Sequence, residues 1–232
     1  MKLRWLGHSA FELTGKNGIN ILIDPFIREN PSCSISVDEL NPDVICITHA
    51  HADHFGDTIE LARKSGSIVI CNYEISRYLQ KKSIHAIGIN CGARISLDGV
   101  SIRMLDAKHS SSYDFEMDMG YAGNAGSFLL EFEEDVKIFH AGDTGLFSDL
   151  KFVVGEVYKP DIALLPIGNI FTMDPHEASI ATNWINPKIV IPMHYNSFAS
   201  IEQDANKFKQ LVKKEAPGCK TIILNPLDTV EF

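Results

Sequence analysis

The stretch Val44-Ile45-Cys46-Ile47-Thr48-His49-Ala50-His51-Ala52-Asp53-His54 runs from an apolar segment straight into three histidines and an aspartate. Crowded imidazoles are unfavourable on their own, because protonated rings repel and neutral rings compete for the same partners. A bound cation removes both problems. Side chains alternate along an extended strand, so His49 and His51 face one side, and Ala50 and Ala52 leave room for the chain to turn beneath them. Asp53 and His54 come at the turn into a predicted helix over 57–65 and diverge from the first pair, which points to a second ion beside the first.

Three further segments carry ligand-type residues behind strand-like sequence: Lys108-His109-Ser110, Ala141-Gly142-Asp143-Thr144 and Ile191-Pro192-Met193-His194-Tyr195. Ligands delivered from strand ends are rigidly placed, and open sheets commonly bind ligands in such crevices.

In order and residue type these motifs resemble the metallo-beta-lactamase superfamily of binuclear hydrolases, with a correspondence running from Leu3 to near the C-terminus. The opening Leu6-Gly7-His8-Ser9-Ala10-Phe11, together with Phe171-Thr172-Met173-Asp174-Pro175 and His194-Tyr195, is similar to a branch of small metal-dependent hydrolases resembling the ascorbate-6-phosphate lactonases. The resemblance implies a four-layer αββα sandwich. It implies that His49, His51 and His109 hold one ion, that Asp53, His54 and His194 hold a second, and that Asp143 bridges them.

It also implies hydrolysis of a small ester, lactone or phosphoester; Asp53, His54 and Tyr195 are the candidate catalytic residues. Two divalent ions about 3.5–4 Å apart can share a hydroxide whose pKa falls toward ~7, so neither serine nor cysteine is needed as nucleophile. Di-iron relatives typically carry glutamate where His51 stands, which makes zinc the first choice, while manganese and iron also suit a mixed nitrogen and oxygen set. The rivals are a phosphodiesterase or nuclease with the same site, and a metal-binding regulator without turnover.

Other residues carry two readings. His8 either caps the loop between the first two strands or supports the site, behind a ligand or against substrate. Asp24 is a turn residue held by Pro25, a carboxylate accepting the free N–H of a ligating histidine, or both. Tyr195 and Asn196 are surface residues beside the pocket or substrate contacts, the phenol being able to protonate a leaving group. His176 reads first as a helix-start residue behind Asp174 as N-cap and Pro175, with the pocket rim as its other reading. His85 and His140 read as structural. Tyr113, Phe115, Met117 and Met119 either line an apolar entrance or pack under their loop or against another subunit.

At 232 residues and 45% hydrophobic content the chain can bury a substantial core, and no linker, repeat or low-complexity segment divides it, so a single domain over residues 1–232 is expected. Thirty acidic against twenty-one basic residues give a formal charge of -9 without a basic stripe, which argues against nucleic acid as a partner. A small-molecule substrate is expected, and an anionic one remains open because bound dications would reverse the local field. Homo-oligomerisation is left open. Met1-Lys2-Leu3-Arg4-Trp5 leads into strand-like sequence and no run of about 18 apolar residues follows, so neither a signal peptide nor a membrane span is expected and the protein reads as cytoplasmic. Five cysteines without CxxC spacing read as reduced, mostly core residues.

Pattern alone gives mixed α and β. Strands are predicted over 2–6, 9–13, 19–24, 44–48, 67–71, 94–97, 100–107, 127–133, 136–140, 162–165, 189–192, 221–224 and 229–231. Helices are predicted over 57–65, 74–82, 146–158, 175–185 and 201–214. Asp98-Gly99 is a strong hairpin signal, and Glu134-Asp135 supplies a second turn.

Overall fold

The computed structural model describes residues 1–113, 120–132 and 136–232. Its strands are β1 (Lys2–Gly7), β2 (Ala10–Thr14), β3 (Asn20–Ile23), β4 (Val44–Cys46), β5 (Ile68–Cys71), β6 (Ala86–Gly88), β7 (Arg94–Leu97) and β8 (Val100–Asp106). They continue as β9 (Ser112–Tyr113), β10 (Gly120–Tyr121), β11 (Gly126–Phe132), β12 (Lys137–His140), β13 (Ile162–Pro166), β14 (Ile189–Met193), β15 (Lys220–Thr221) and β16 (Thr229–Glu231). The α-helices are α1 (Ala52–Phe55), α2 (Thr58–Ser65), α3 (Tyr73–Lys81), α4 (Pro175–Ile185) and α5 (Ala205–Glu215), and Leu150–Tyr158 forms a π-helix. The chain divides into two units, Met1–Ala93 with Ser110–Ala125 and Asn225–Phe232, and Arg94–His109 with Gly126–Leu224.

The first unit is built on a seven-stranded sheet in the order β16-β1-β2-β3-β4-β5-β6. Pairing is antiparallel from β16 to β3 and parallel from β3 to β6. Parallel neighbours need a crossover, and α2 and α3 supply those between β4 and β5 and between β5 and β6. Strands covered on both faces read as continuous apolar runs, as all three residues of β4 do. Leu6, Leu22, Ile45, Val69, Ile75 and Leu79 belong to its core.

The second unit repeats the plan. Its sheet runs β15-β14-β13-β12-β11-β8-β7, parallel from β15 to β12 and antiparallel from β12 to β7. The π-helix, α4 and α5 make the parallel crossovers, and Phe128, Phe139, Leu164, Ile191 and Phe208 are fully buried. Asp98 (φ 43) and Gly99 (φ 81) form the tight turn between Leu97 and Val100, both in the left-handed region that a type I′ hairpin requires.

The mixed α/β class is as the sequence predicts, and the differences are local. The segment predicted as a helix over 146–158 becomes a π-helix from Leu150, closed by Lys159 N–H donating to the Val154 carbonyl at 2.9 Å. Gly155 lies so close to α4 that a Cβ there would fall on the carbonyl oxygen of Trp184. The helix predicted from Ile201 begins at Ala205, because Asp204 caps it by accepting from Asn206 N–H at 2.8 Å, while Ala199–Ile201 is a separate 3-10 turn. The strand predicted over 221–224 is confined to Lys220–Thr221. Short strands β6, β9 and β10 carry too little periodicity to be read from sequence. The expected turn at Glu134-Asp135 and the residues Phe115, Met117 and Met119 lie outside the described residues. Among the described residues no helix is long and apolar enough to cross a membrane. All five cysteines are free thiols, with Cys46, Cys71 and Cys219 buried.

Candidate functional site

Each sheet delivers ligand-type side chains from the ends of its strands. In the first unit, β4 ends at Cys46 and the chain passes through Thr48 and His49 to the one-turn helix α1, which carries Asp53 and His54. Asp24, just beyond β3, organises this loop. Its Oδ1 accepts from Thr48 N–H at 2.8 Å, and its Oδ2 accepts from the Thr48 hydroxyl at 2.7 Å and from His54 Nδ1 at 2.7 Å. A carboxylate only accepts, so His54 carries its proton on Nδ1 and turns the Nε2 lone pair away from Asp24.

The same reasoning extends one bond further. The Thr48 hydroxyl uses its O–H to donate to Asp24, so it accepts from His49 Nδ1 at 3.0 Å and fixes that ring in the same tautomer. His49 Nε2 lies 3.0 Å from His51 Nδ1, and the His49 and His54 ring centroids are 4.1 Å apart. Two nitrogens sharing one ion at about 2.1 Å each would stand roughly 3.0–3.4 Å apart, so the His49–His51 spacing fits a common cation. His49, His54 and Asp24 are fully buried, whereas His51 and Asp53 are partly exposed. His8 Nε2 is 3.1 Å from Asp53 Oδ2, and one donor atom each from His8, Asp53 and His54 falls within 4.8 Å of the others. Pro25 and Gly56 lock the loops together, for Asp57 N–H donates to the Pro25 carbonyl at 2.9 Å, and at φ 40 a Cβ on Gly56 would meet that same carbonyl.

In the second unit, Asp143 follows β12, His194 follows β14 and His109 follows β8. Nε2 of His194 is 2.9 Å and Nε2 of His109 3.7 Å from one oxygen, Asp143 Oδ2. Two imidazoles aimed at one carboxylate oxygen are what a bridging aspartate would meet. The turn presenting Asp143 is set by His140, whose Nδ1 accepts from Gly142 N–H at 3.1 Å, and by Gly142 at φ 58. Thr144 ties this turn to the loop before His109: its Oγ1 accepts from Lys108 N–H at 3.0 Å and donates to the Gly145 carbonyl, and Gly145 N–H donates to the Lys108 carbonyl at 3.2 Å. Gly168 lies against His194, where a Cβ would fall on the His194 carbonyl and come within 3.1 Å of its Nδ1.

His8, Asp24 and His194 are all non-glycine residues in the left-handed region, at φ 53, 47 and 54. Such backbone is uncommon and clusters where the surrounding structure must hold a side chain in one place.

The remaining candidates fall out as follows. Tyr195 is buried, and burial pushes its phenol up to about 12, so it stays a neutral O–H donor at physiological pH. Asn196 is exposed at φ 59, and its Oδ1 accepts from Gln203 N–H at 2.7 Å, which shapes the loop after His194. Asp174 caps α4 by accepting from Glu177 N–H at 2.7 Å, with Pro175 in the first turn and His176 exposed, so His176 is a helix-start residue. His85 is exposed, and its carbonyl accepts from Val69 N–H. The supporting roles of Thr48, Thr144 and Gly168 escape sequence reading, although Thr48 and Thr144 each adjoin a predicted ligand.

The Beta-lactamase superfamily domain matches residues 2–194. The chain belongs to the metallo-beta-lactamase superfamily. Within it, a metal-dependent hydrolase of Methanobrevibacter smithii is 53% identical over 232 residues, covering 100% of this chain and 97% of the relative. A second metal-dependent hydrolase, from Methanosphaera stadtmanae, is 48% identical and covers 97% of each chain. The solved structure of Igni18, a metallo hydrolase from the hyperthermophilic archaeon Ignicoccus hospitalis, matches with a TM-score of 0.89 at 38% identity, over 100% of this chain and 98% of that one. The metallo-beta-lactamase fold expected from the motifs is therefore the fold of this chain.

Proposed function

We propose that the protein is a metal-dependent hydrolase of small esters, lactones or phosphoesters whose two ligand clusters serve one pair of divalent ions. The observation that carries this reading is the Asp24 hub, because a buried carboxylate that fixes two imidazoles with their Nε2 lone pairs outward prepares donors for cations. On the superfamily's ligand order, His49, His51 and His109 hold one ion, Asp53, His54 and His194 the other, and Asp143 is shared. Imidazole nitrogen mixed with carboxylate oxygen suits zinc first and admits manganese or iron.

Bound divalent ions supply a nucleophilic water at neutral pH and polarise the substrate oxygen. The chain's own residues do the rest. Asp24 and Thr48 keep His54 and His49 from rotating or changing tautomer, so no reorganisation is needed during the reaction. Tyr195, a neutral phenol beside His194 in the chain, is assigned the hydrogen bond to the leaving oxygen and the proton that it takes up on departure. The absence of a basic stripe and the net charge of -9 favour small substrates over polynucleotides.

The test is a panel of esters, lactones and phosphodiesters assayed with metal-stripped protein, with protein refilled with zinc or manganese, and with Asp53→Ala. Turnover should disappear on chelation, return with metal and be absent from Asp53→Ala. Full turnover in metal-free protein would overturn the reading.

A further inference from the structure

We propose that His8 is a positioning residue that fixes the carboxylate of Asp53 in the orientation its ion needs, an inference that rests on the metal-dependent reading above. Asp53 lies in α1, a helix of one turn whose N-cap, His51, makes no side-chain capping bond. Its side chain is 30% exposed. A carboxylate on so short and open an element samples several rotamers unless something selects one.

His8 is built to make that selection. It follows β1 directly, is fully buried, and takes the left-handed conformation at φ 53 next to Gly7 at φ 98. Gly7 cannot be replaced cheaply, since a Cβ there would come within 2.9 Å of Ser32 Cβ and 3.2 Å of Asn30 Nδ2. Trp5 Nε1–H donates to the His8 carbonyl at 2.9 Å and anchors the backbone. The ring meets Phe26 and His54 edge-on, each at a centroid distance of 5.6 Å. Backbone and ring are thus held from several directions, which is the condition for a side chain that must place another.

Nε2 of this ring lies 3.1 Å from Asp53 Oδ2. A carboxylate offers no proton, so His8 carries its proton on Nε2 and donates. The bond holds the carboxylate through Oδ2 and so fixes the orientation in which it meets its ion. Hydrogen bonds behind ligating groups typically govern metal affinity by roughly 10–100-fold. A strained backbone at His8, which the superfamily's ligand order does not use, is accounted for if the residue serves a neighbour's geometry.

The experiment is calorimetric titration of metal-stripped protein with zinc, alongside metal content per chain, for wild type, His8→Ala and His8→Gln, with melting of the metal-free forms as a check on folding. Wild type should take up two ions per chain. His8→Ala should keep one site at wild-type affinity and lose roughly 10–100-fold at the other. His8→Gln, whose amide N–H can reach Asp53 but which has no imidazole, should recover that site to within about threefold of wild type. Wild-type titration by His8→Ala, an equal loss at both sites, or failure of His8→Gln to recover binding would each overturn the proposal, the last by making His8 a ligand in its own right. A wild type that takes up no metal overturns the metal-dependent reading and this inference together, an outcome distinct from a failure specific to His8.

Discussion

Asp24 Oδ2 accepts from His54 Nδ1 at 2.7 Å with both side chains fully shielded from water, and the same oxygen accepts from the Thr48 hydroxyl that in turn holds His49. One carboxylate therefore governs two imidazoles that the superfamily's ligand order assigns to different ions. Asp24→Asn keeps the size but places an amide N–H where an acceptor is needed, so both rings lose their enforced tautomer. Affinity for zinc should fall by roughly 10–100-fold at both sites. Thr48→Val breaks only the branch to His49 and should weaken one site alone. Calorimetric titration of the metal-free proteins separates these outcomes, and wild-type binding by Asp24→Asn would show that the hub is purely structural.

Gly168 makes a second, steric prediction. An added methyl group would meet the carbonyl of His194, so that loop or His194 must move, whereas a Cβ at Gly218 meets nothing within 4 Å. Gly168→Ala should cost about 1–3 kcal/mol of stability, as overpacking typically does, and should reduce turnover beyond what the lost stability explains. Gly218→Ala is the control and should match wild type in both. Urea unfolding of the metal-free proteins and steady-state turnover of the refilled ones read the two effects. Equal behaviour of the variants would mean that the loop after β13 yields without disturbing His194.

Much of this was legible in the chain, for identifiable reasons. The cluster from His49 to His54 declares itself because its residues are sequential and follow a fully apolar strand, and Asp98-Gly99 because only a few residue pairs tolerate φ values of 43 and 81. The α4 start is equally local, with Asp174, Pro175 and Glu177 completing a capping box. What stayed hidden depends on register between distant segments. Thr48 acts through Asp24 because β3 and β4 pair in parallel with Ile23 opposite Cys46, and Thr144 acts through Lys108 across 36 positions of sequence. Hydroxyls are common in loops, so nothing in their local sequence distinguishes these two from turn residues. The π-helical form of Leu150–Tyr158 was hidden likewise, since the close approach of Gly155 to Trp184 is a tertiary fact.

Burial of the thiols sets the alkaline limit. Burial pushes the thiols of Cys71 and Cys46 well up, and raises Cys219 from 9.0 to about 11. The folded values exceed the unfolded ones, so the unfolded chain releases protons first as pH rises. Stability is then fully present below the unfolded value near 9 and is lost progressively above it, through about 11 for Cys219. Melting temperatures of the metal-free protein should decline between pH 9 and 11, and Cys219→Ala should flatten that decline whatever its effect at pH 7. Exposed Cys91 should react with a thiol reagent in the native state, while Cys46 and Cys71 react only through unfolding. Rapid labelling of Cys71 in the native state would contradict this burial.

The turn that follows Gly168 bears on substrate choice. Asn169 N–H donates to the Met173 carbonyl at 3.0 Å and Thr172 N–H to the Asn169 carbonyl at 2.9 Å, which closes the turn and leaves Ile170 66% and Phe171 56% exposed. Ile170 stands at φ 39, an outlier for a β-branched residue, and its loop is anchored where Gly168 meets His194. Exposed apolar groups on a strained loop beside His194 suit contact with an apolar part of a substrate. Phe171→Ala should raise KM by roughly tenfold for esters with a branched or aromatic acyl group, in line with the transfer free energy of a phenyl side chain, and leave kcat and KM for an acetyl ester unchanged. The contrast between the two esters carries the argument, because a general disturbance of His194 would lower turnover of both, and an uninvolved loop would alter neither.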